Sequence, residues 1–137
     1  MANAIYPIYK QKIMSETANR TIAAGTISVA ICNSSYTYSG THEYRSSITG
    51  GLVANNNLTT PTVYANATFE DTGSATITFS AVPAGTAIES LVIYKFNTND
   101  ADSPLVAYLD AGITNLPVTP NGGDITITWD LDGIFTL

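Results

Sequence analysis

The chain has 137 residues, enough for one domain that buries about two thirds of the surface of its unfolded state. Charged residues make up only 12% of it, about half the usual share, so Thr, Ser, Asn and small residues must cover much of its surface. The net charge of −6 and the five basic residues exclude a basic stripe for nucleic acid, and the lack of a polybasic segment or a long apolar run excludes attachment to a membrane.

The first seven residues, MANAIYP, contain no positive region followed by an apolar core. They therefore predict no secretory signal and indicate synthesis in the cytoplasm. Cys32 is the one cysteine of the chain, which excludes an internal disulfide.

Residues 1–20 form an N-terminal segment with its own pattern. Pro7 suits the first position of a helix, and apolar residues recur nearby at four-residue steps, at Ile5, Tyr9 and Ile13. This spacing predicts a helix from Pro7 to about Ala18, ending near Asn19. The same apolar residues also suit an extended arm, and that alternative stays open.

From residue 26 onward the period changes to two. Residues 26–32, 74–82 and 124–129 each alternate apolar side chains with Thr or Ser, which is typical of antiparallel strands with one buried face. The inward side chains are expected to be Ile27, Val29 and Ile31 in the first run, Ala75, Ile77, Phe79 and Ala81 in the second, and Ile125, Ile127 and Trp129 in the third.

Two further runs, residues 90–96 and 105–109, are apolar on both faces. We expect them to be central strands, or strands whose second face meets a neighbouring subunit. Shorter strands are predicted at residues 36–38, 52–54, 62–64 and 67–70, with Gly, Pro, Asn and Asp turns between them. Residues 1–137 therefore predict one mainly β domain, an antiparallel β-sandwich or jelly roll with a short N-terminal helix or arm.

No arrangement of side chains in the sequence predicts catalysis or a bound metal. His42 lies near Ser39, but the Gly-x-Ser-x-Gly elbow of a serine hydrolase is missing. One His and one distant Cys are too few for zinc. The acidic turns at residues 100–102 and 130–133 do not match a calcium loop, and Asx hydrogen bonds explain them. We therefore expect no enzyme and no cofactor.

Tyrosines are the residues that indicate binding. Tyr36, Tyr38 and Tyr44 lie in a polar, turn-rich region, where their rings suit an interface with another protein or stacking on sugars. The alternative is that they fill the edges of the core. The candidate interface residues are Ile5, Tyr6, Tyr9, Tyr36, Tyr38 and Tyr44.

Both ends of the sequence carry longer motifs. The chain opens MANAIYP followed by Tyr9 and Lys10, and residues 116–130 read LPVTPNGGDITITWD. The middle contributes YTYS with His42 and Glu43, and LVAYLDAG at residues 105–112. Across nearly its whole length the chain resembles a family of small proteins encoded in the structural modules of tailed bacteriophages.

The resemblance implies a virion protein made in the host cytoplasm, and no catalytic residues. Some small β-sandwich or jelly-roll proteins of this size are capsid cement or decoration proteins, so the resemblance implies binding across junctions between major capsid proteins on the capsid surface. The low charge and the doubly apolar strands favour association, and we expect a dimer or trimer. A tail or fibre-base protein and a carbohydrate-binding module remain the alternatives.

Overall fold

The computed structural model describes residues 3–15, 20–22 and 25–137. In chain order its helix and strands are β1 (Ala4–Ile5), α1 (Pro7–Met14), β2 (Thr26–Asn33), β3 (Leu52–Asn57), β4 (Pro61–Val63), β5 (Thr68–Asp71), β6 (Thr76–Phe79), β7 (Ile88–Phe96), β8 (Leu105–Leu109), β9 (Ile125–Thr128) and β10 (Phe135–Thr136). Strands β1, β8, β7, β2 and β3 form one sheet in that order, strands β10, β5 and β4 form a second, and β6 pairs with β9.

The five-stranded sheet is antiparallel throughout, and its middle is buried on both faces. All five residues of β8 and seven of the nine residues of β7 are buried, so the prediction of two doubly apolar central strands is confirmed. Their second faces are covered by other parts of the same chain, because these residues belong to one core cluster with the buried residues of the other sheets.

Strand β2 differs from the prediction. Ile27, Val29 and Ile31 are buried as expected, but the opposite face is buried as well, including Ser28 and Cys32. The prediction of a half-buried strand is wrong here because β2 lies between β7 and β3 under the loop that follows it. Small and weakly polar side chains, with the Ser28 hydroxyl bonded to Asn57 Oδ1 at 2.5 Å, allow the loop to pack closely.

The second layer supplies the sandwich. In β9, Ile125 and Ile127 are buried and the threonines between them are exposed, which confirms the alternation predicted for residues 124–129. In β6 the alternation holds for Ile77 and Phe79, but Ala75 and Ala81 lie outside the strand and are exposed. The mainly β, antiparallel, sandwich-like single domain predicted from the sequence is confirmed.

The N-terminal segment is part of the sheet and of the core. Pro7 begins α1 as predicted, but the helix ends at Met14, and Ala18 and Asn19 lie outside the described residues. Before it, β1 pairs with β8, and the Asn3 side chain accepts hydrogen bonds from the backbone of residues 110 and 111. The described residues before Pro7 are therefore extended, as in the arm alternative, and those from Pro7 to Met14 form the helix.

The four short strands predicted are found in three cases. Residues 52–54 begin β3, residues 62–64 overlap β4, and residues 67–70 overlap β5. Residues 36–38 are not a strand; they belong to a loop that crosses the central sheet from Asn33 towards Pro104 and returns at Gly51. Tyr36 and Tyr38 are two residues apart, like side chains on one face of a strand, but residues 36–38 are not hydrogen-bonded to a neighbouring strand.

Candidate functional site

An aromatic cluster fills the space between the loop of residues 36–44 and the central sheet. We define it by five residues: Tyr6, Tyr36, Tyr38, His42 and Tyr108. Ring centroids lie 5.2 Å apart for the Tyr6–Tyr38 and Tyr38–Tyr108 pairs, in the tilted geometry that aromatic rings prefer. The cluster therefore connects the loop, the N-terminal segment and strand β8.

A chain of hydrogen bonds runs through this cluster. The hydroxyls of Tyr6 and Tyr36 lie 2.6 Å apart, and the Tyr36 hydroxyl lies 3.0 Å from His42 Nδ1. Burial raises the pKa of Tyr36 to about 12 and the pKa of Tyr6 further above its ordinary value, where the bond to Tyr36 adds to the shift. Both phenols therefore stay neutral at physiological pH and hold the loop in place.

Cys32 lies on the sheet beneath this cluster. It is fully buried, and burial raises the pKa of its thiol to about 12, with the charge of Arg45 acting in the opposite direction. Because thiolates are the reactive form, this cysteine behaves as a small core residue.

A second group of contacts secures the N-terminal segment near residue 44. The Tyr9 hydroxyl donates to the backbone oxygen of Arg20 at 2.7 Å, and Arg20 Nη2 donates to Glu43 Oε1 at 2.7 Å. The Arg20 guanidinium also lies 5.6 Å from the centroid of the Tyr44 ring. Arg20 is 5% exposed, so this ion pair is a structural clamp.

Two more basic residues also serve the fold. Arg45 binds Asp100 and lies over the Tyr94 ring at 5.4 Å from its centroid. Lys95 Nζ donates to the backbone oxygen of Thr21 at 2.7 Å, and burial, followed by the charge of Arg20, lowers the pKa of Lys95. Within the described ranges, Lys10, Lys12 and Lys95 form no ion pair, and Lys10 and Lys12 lie on α1.

The structure divides the six residues predicted to form an interface. Tyr6, Tyr9 and Tyr36 are buried, and their rings pack in the core. Ile5, Tyr38 and Tyr44 are partly exposed, and a role for them at an interface stays a prediction.

The large apolar side chains that do reach the surface were not among those six. An apolar row of Val63, Tyr64 and Leu137 lies at one end of the β4–β5–β10 sheet, with 43%, 49% and 47% of each residue exposed. The backbone nitrogens of Tyr64 and Leu137 bond to the oxygens of Thr68 and Ala67, which places these strands' ends side by side. The sequence signal was faint, because a two-residue apolar pair in a short strand does not say which face is covered.

The two acidic turns are held by side-chain to backbone bonds, as predicted. Asn99 Oδ1 accepts from the nitrogen of Ala101, and Asp130 Oδ1 accepts from the nitrogen of Asp132, both at 2.9 Å. Across residues 3–15, 20–22 and 25–137, no three His, Cys, Asp or Glu side chains meet in a group that suits a metal ion.

The described residues line several open cavities, and Trp129 and Asp130 line two of them, of about 190 and 220 Å³. One of about 430 Å³ lies between residues 115–118 and 124–126, and Asp124 is the titratable residue in its lining. That carboxylate accepts a bond from the backbone nitrogen of Ala81 at 2.8 Å, so it supports a turn. The lining of this 430 Å³ cavity includes no aromatic ring on which a sugar would stack.

None of the helical segments in the described part of the chain is both long and apolar enough to cross a membrane. Comparison of the chain with protein-family models, with curated proteins and with solved structures finds no match.

Proposed function

We propose that the protein is a virion structural protein of a tailed bacteriophage and that it acts as a capsid cement protein. In this role it binds on the capsid surface, across junctions between major capsid proteins, as a homo-oligomer. The proposal starts from the sequence resemblance of residues 1–10 and 116–130 to proteins of phage structural modules.

The observation that carries the proposal is the apolar row of Val63, Tyr64 and Leu137. Val63 and Tyr64 are consecutive in extended backbone and so project from opposite faces of this sheet end, where, with Leu137, they leave apolar area exposed beside polar threonines. Exposed apolar area next to polar residues is a typical centre for a contact with another protein. Tyr64 has the ring and hydroxyl that most often anchor such contacts. We assign this row to the major capsid protein.

The edge of this sheet favours docking through side chains over pairing with an added strand. Hydrogen bonds from Thr72 to Thr60 and from Tyr64 to Thr68 turn the backbone of residues 60, 62 and 64 towards β5. The outward positions are therefore Pro61 and Val63, and proline has no N–H to offer a new strand.

The family-like segment at residues 116–130 has a structural role that fits a protein without chemistry. Val82 and Gly122 donate to the oxygens of Gly123 and Val82, which forms the turn before β9. The segment then supplies the buried side chains of β9 and Trp129. Residues 116–130 therefore build the fold, and this supports the proposal that the protein is a structural component.

Attachment to a symmetric shell suits weak individual contacts. Each copy or oligomer that touches two capsomers gains effective concentration for its second contact, so modest affinity per row is sufficient. Strand β10, which directly precedes Leu137, is paired with β5, and β1 is paired with β8.

Cryo-EM of purified virions tests the proposal, with wild-type protein and with the double variant Val63→Ser/Tyr64→Ser. We expect density for the wild-type protein at junctions between capsid proteins and a large loss of occupancy for the variant. Phe96→Ser is the matched control, because Phe96 is also 49% exposed but lies at the end of β7.

Absence of the protein from the virion would contradict the proposal. Immunogold label on the tail in place of the head would replace cement with the tail or fibre-base alternative. Binders on a glycan array, together with no association with capsids, would favour the carbohydrate-binding module.

A further inference from the structure

The two most exposed large apolar side chains of the described residues carry charges of opposite sign beside them. Leu131 is 96% exposed and stands between Asp130 and Asp132. Met14 is 79% exposed and lies one helical turn after Lys10. An exposed apolar side chain costs solvation, and one flanked by a fixed charge is suited to a partner with the opposite charge.

The exposed face of α1 follows from helical spacing. Tyr9 is buried, and Pro7, Lys10, Gln11 and Met14 are exposed at steps of three or four residues, so they share one face. Neither Lys10 nor Lys12 forms an ion pair with any described residue. We call Lys10 and Met14 the basic face.

The turn of residues 130–132 has the complementary chemistry. Asp130 shapes it by accepting the bond from the Asp132 nitrogen, and Gly133 closes it by donating to the Asp130 oxygen at 3.1 Å. This arrangement leaves the Leu131 side chain projecting, and the Asp132 carboxylate has no basic partner among the described residues. We call Leu131 and Asp132 the acidic tip.

The basic face and the acidic tip lie at different ends of β1. A cavity of about 220 Å³ is lined by Asn3, Asp130 and Gly133, which puts the tip beside the residue that precedes β1. Helix α1 begins after the other end of β1, where the Tyr6 nitrogen donates to Val106.

We propose that the basic face of one copy of this chain binds the acidic tip of a second copy. Met14 and Leu131 would bury each other, with Lys10 beside Asp132. A two-fold contact of either surface with itself sets like charges together, so complementarity favours the head-to-tail arrangement. Such a contact is made once between neighbouring copies in a closed ring, or twice, reciprocally, in a two-fold dimer.

This inference deepens the homo-oligomer in the proposed function and rests on that part of it. The capsid-binding row of Val63, Tyr64 and Leu137 is a separate surface. Variants of the basic face and acidic tip therefore test self-association without altering the apolar row.

Sedimentation velocity of the purified full chain over a range of concentrations measures self-association. Lys10→Glu and Asp132→Lys should each weaken the apparent association constant about five- to tenfold, because each replaces an attraction with a repulsion. The swapped double variant Lys10→Glu/Asp132→Lys restores the opposite charges and should return to within about twofold of wild type. Salt should weaken association of the wild-type chain.

The matched control is Lys10→Glu/Glu89→Lys, which has the same net charge as the swapped variant. Glu89 is exposed on β7 and belongs to neither surface, so this control should remain as weak as Lys10→Glu alone. Rescue by this control, equal association of all variants, or a wild-type chain that stays monomeric would each overturn the inference. If virions still carry the wild-type protein in those cases, the capsid-binding part of the proposed function stands and the head-to-tail contact fails.

Discussion

The loop of residues 36–44 and the sheet of β4, β5 and β10 both carry tyrosines in polar, turn-rich sequence, and the fold uses them in opposite ways. In the loop, Tyr36 is buried against Tyr108, and its hydroxyl is bonded within the protein. In the sheet, Tyr64 is half exposed. A tyrosine in polar, turn-rich sequence therefore does not show by itself whether its ring packs in the core or stays exposed for a partner. That depends on which other elements of the fold cover the ring.

The largest effect that separates the two regions should come from removing a ring. Tyr6→Ala empties a fully buried position and should lower the free energy of unfolding by about 3–5 kcal/mol. Tyr64→Ala should change it by no more than about 0.5 kcal/mol, because its ring is at the surface. Urea denaturation measures both, and equal losses would contradict the assignment of the two regions.

Alkaline pH should also act on the buried side. In the unfolded chain a tyrosine ionises near pH 10, whereas burial holds the pKa of folded Tyr9 and Tyr36 at about 12. Between these values the unfolded state binds fewer protons than the folded state, so the free energy of unfolding falls as the pH rises. Cys32 adds a loss of the same sign, beginning nearer pH 9.

Urea midpoints measured up to about pH 12, with tyrosinate absorbance recorded alongside, check this dependence. Stability should be flat with respect to these groups below their unfolded pKa values. The Tyr9→Phe/Tyr36→Phe variant should show a shallower fall than the wild-type chain. Tyrosines that all ionise near pH 10 without unfolding would contradict the buried cluster.

The close approach of the loop to the sheet provides a third comparison. A Cβ on Gly51 would clash with the backbone nitrogen of Tyr36, whereas a Cβ on the adjacent Gly50 would meet nothing. Gly51→Ala should therefore cost about 1–3 kcal/mol, through displacement of the loop. Gly50→Ala is the matched control and should lie within about 0.5 kcal/mol of the wild-type protein. Similar thermal unfolding of both variants would mean that the loop is not seated as described.

The smallest effect expected on the buried side is that of one hydroxyl. Tyr36→Phe keeps the ring but removes the bonds to Tyr6 and His42, and should cost about 1 kcal/mol. Tyr38→Phe is a suitable comparison, since Tyr38 contributes ring contacts to the same cluster. Denaturation midpoints should rank Tyr36→Phe below Tyr38→Phe, and the reverse order would remove the hydrogen-bonded chain from the account.

Periodicity was sufficient to predict the sheet but not the surfaces. Strand β9 alternates strictly, with Ile125, Ile127 and Trp129 inward, because one face of it meets solvent. Strand β2 also alternates and is buried on both faces, because the loop that follows it covers the second. The spacing of apolar residues along the chain predicts which side chains of a strand share a face. Whether that face is buried depends on the tertiary fold.

The candidate surfaces were harder to predict for the same reason. The six interface residues were chosen for aromatic or apolar character in polar surroundings, and in three of them that character serves the core. Val63 and Leu137 lie far apart in sequence, and they come to the same end of one sheet only when β4 and β10 pair with opposite sides of β5. No local pattern contains that information.

Hydrogen–deuterium exchange of the protein, free and bound to capsids, tests the central comparison most directly, because it reports which backbone segments a partner covers. Our prediction is that binding to capsids gives new protection at residues 61–64 and 135–137 and leaves exchange in residues 36–44 unchanged. New protection confined to residues 36–44 would contradict it and return the interface to the tyrosine-rich loop.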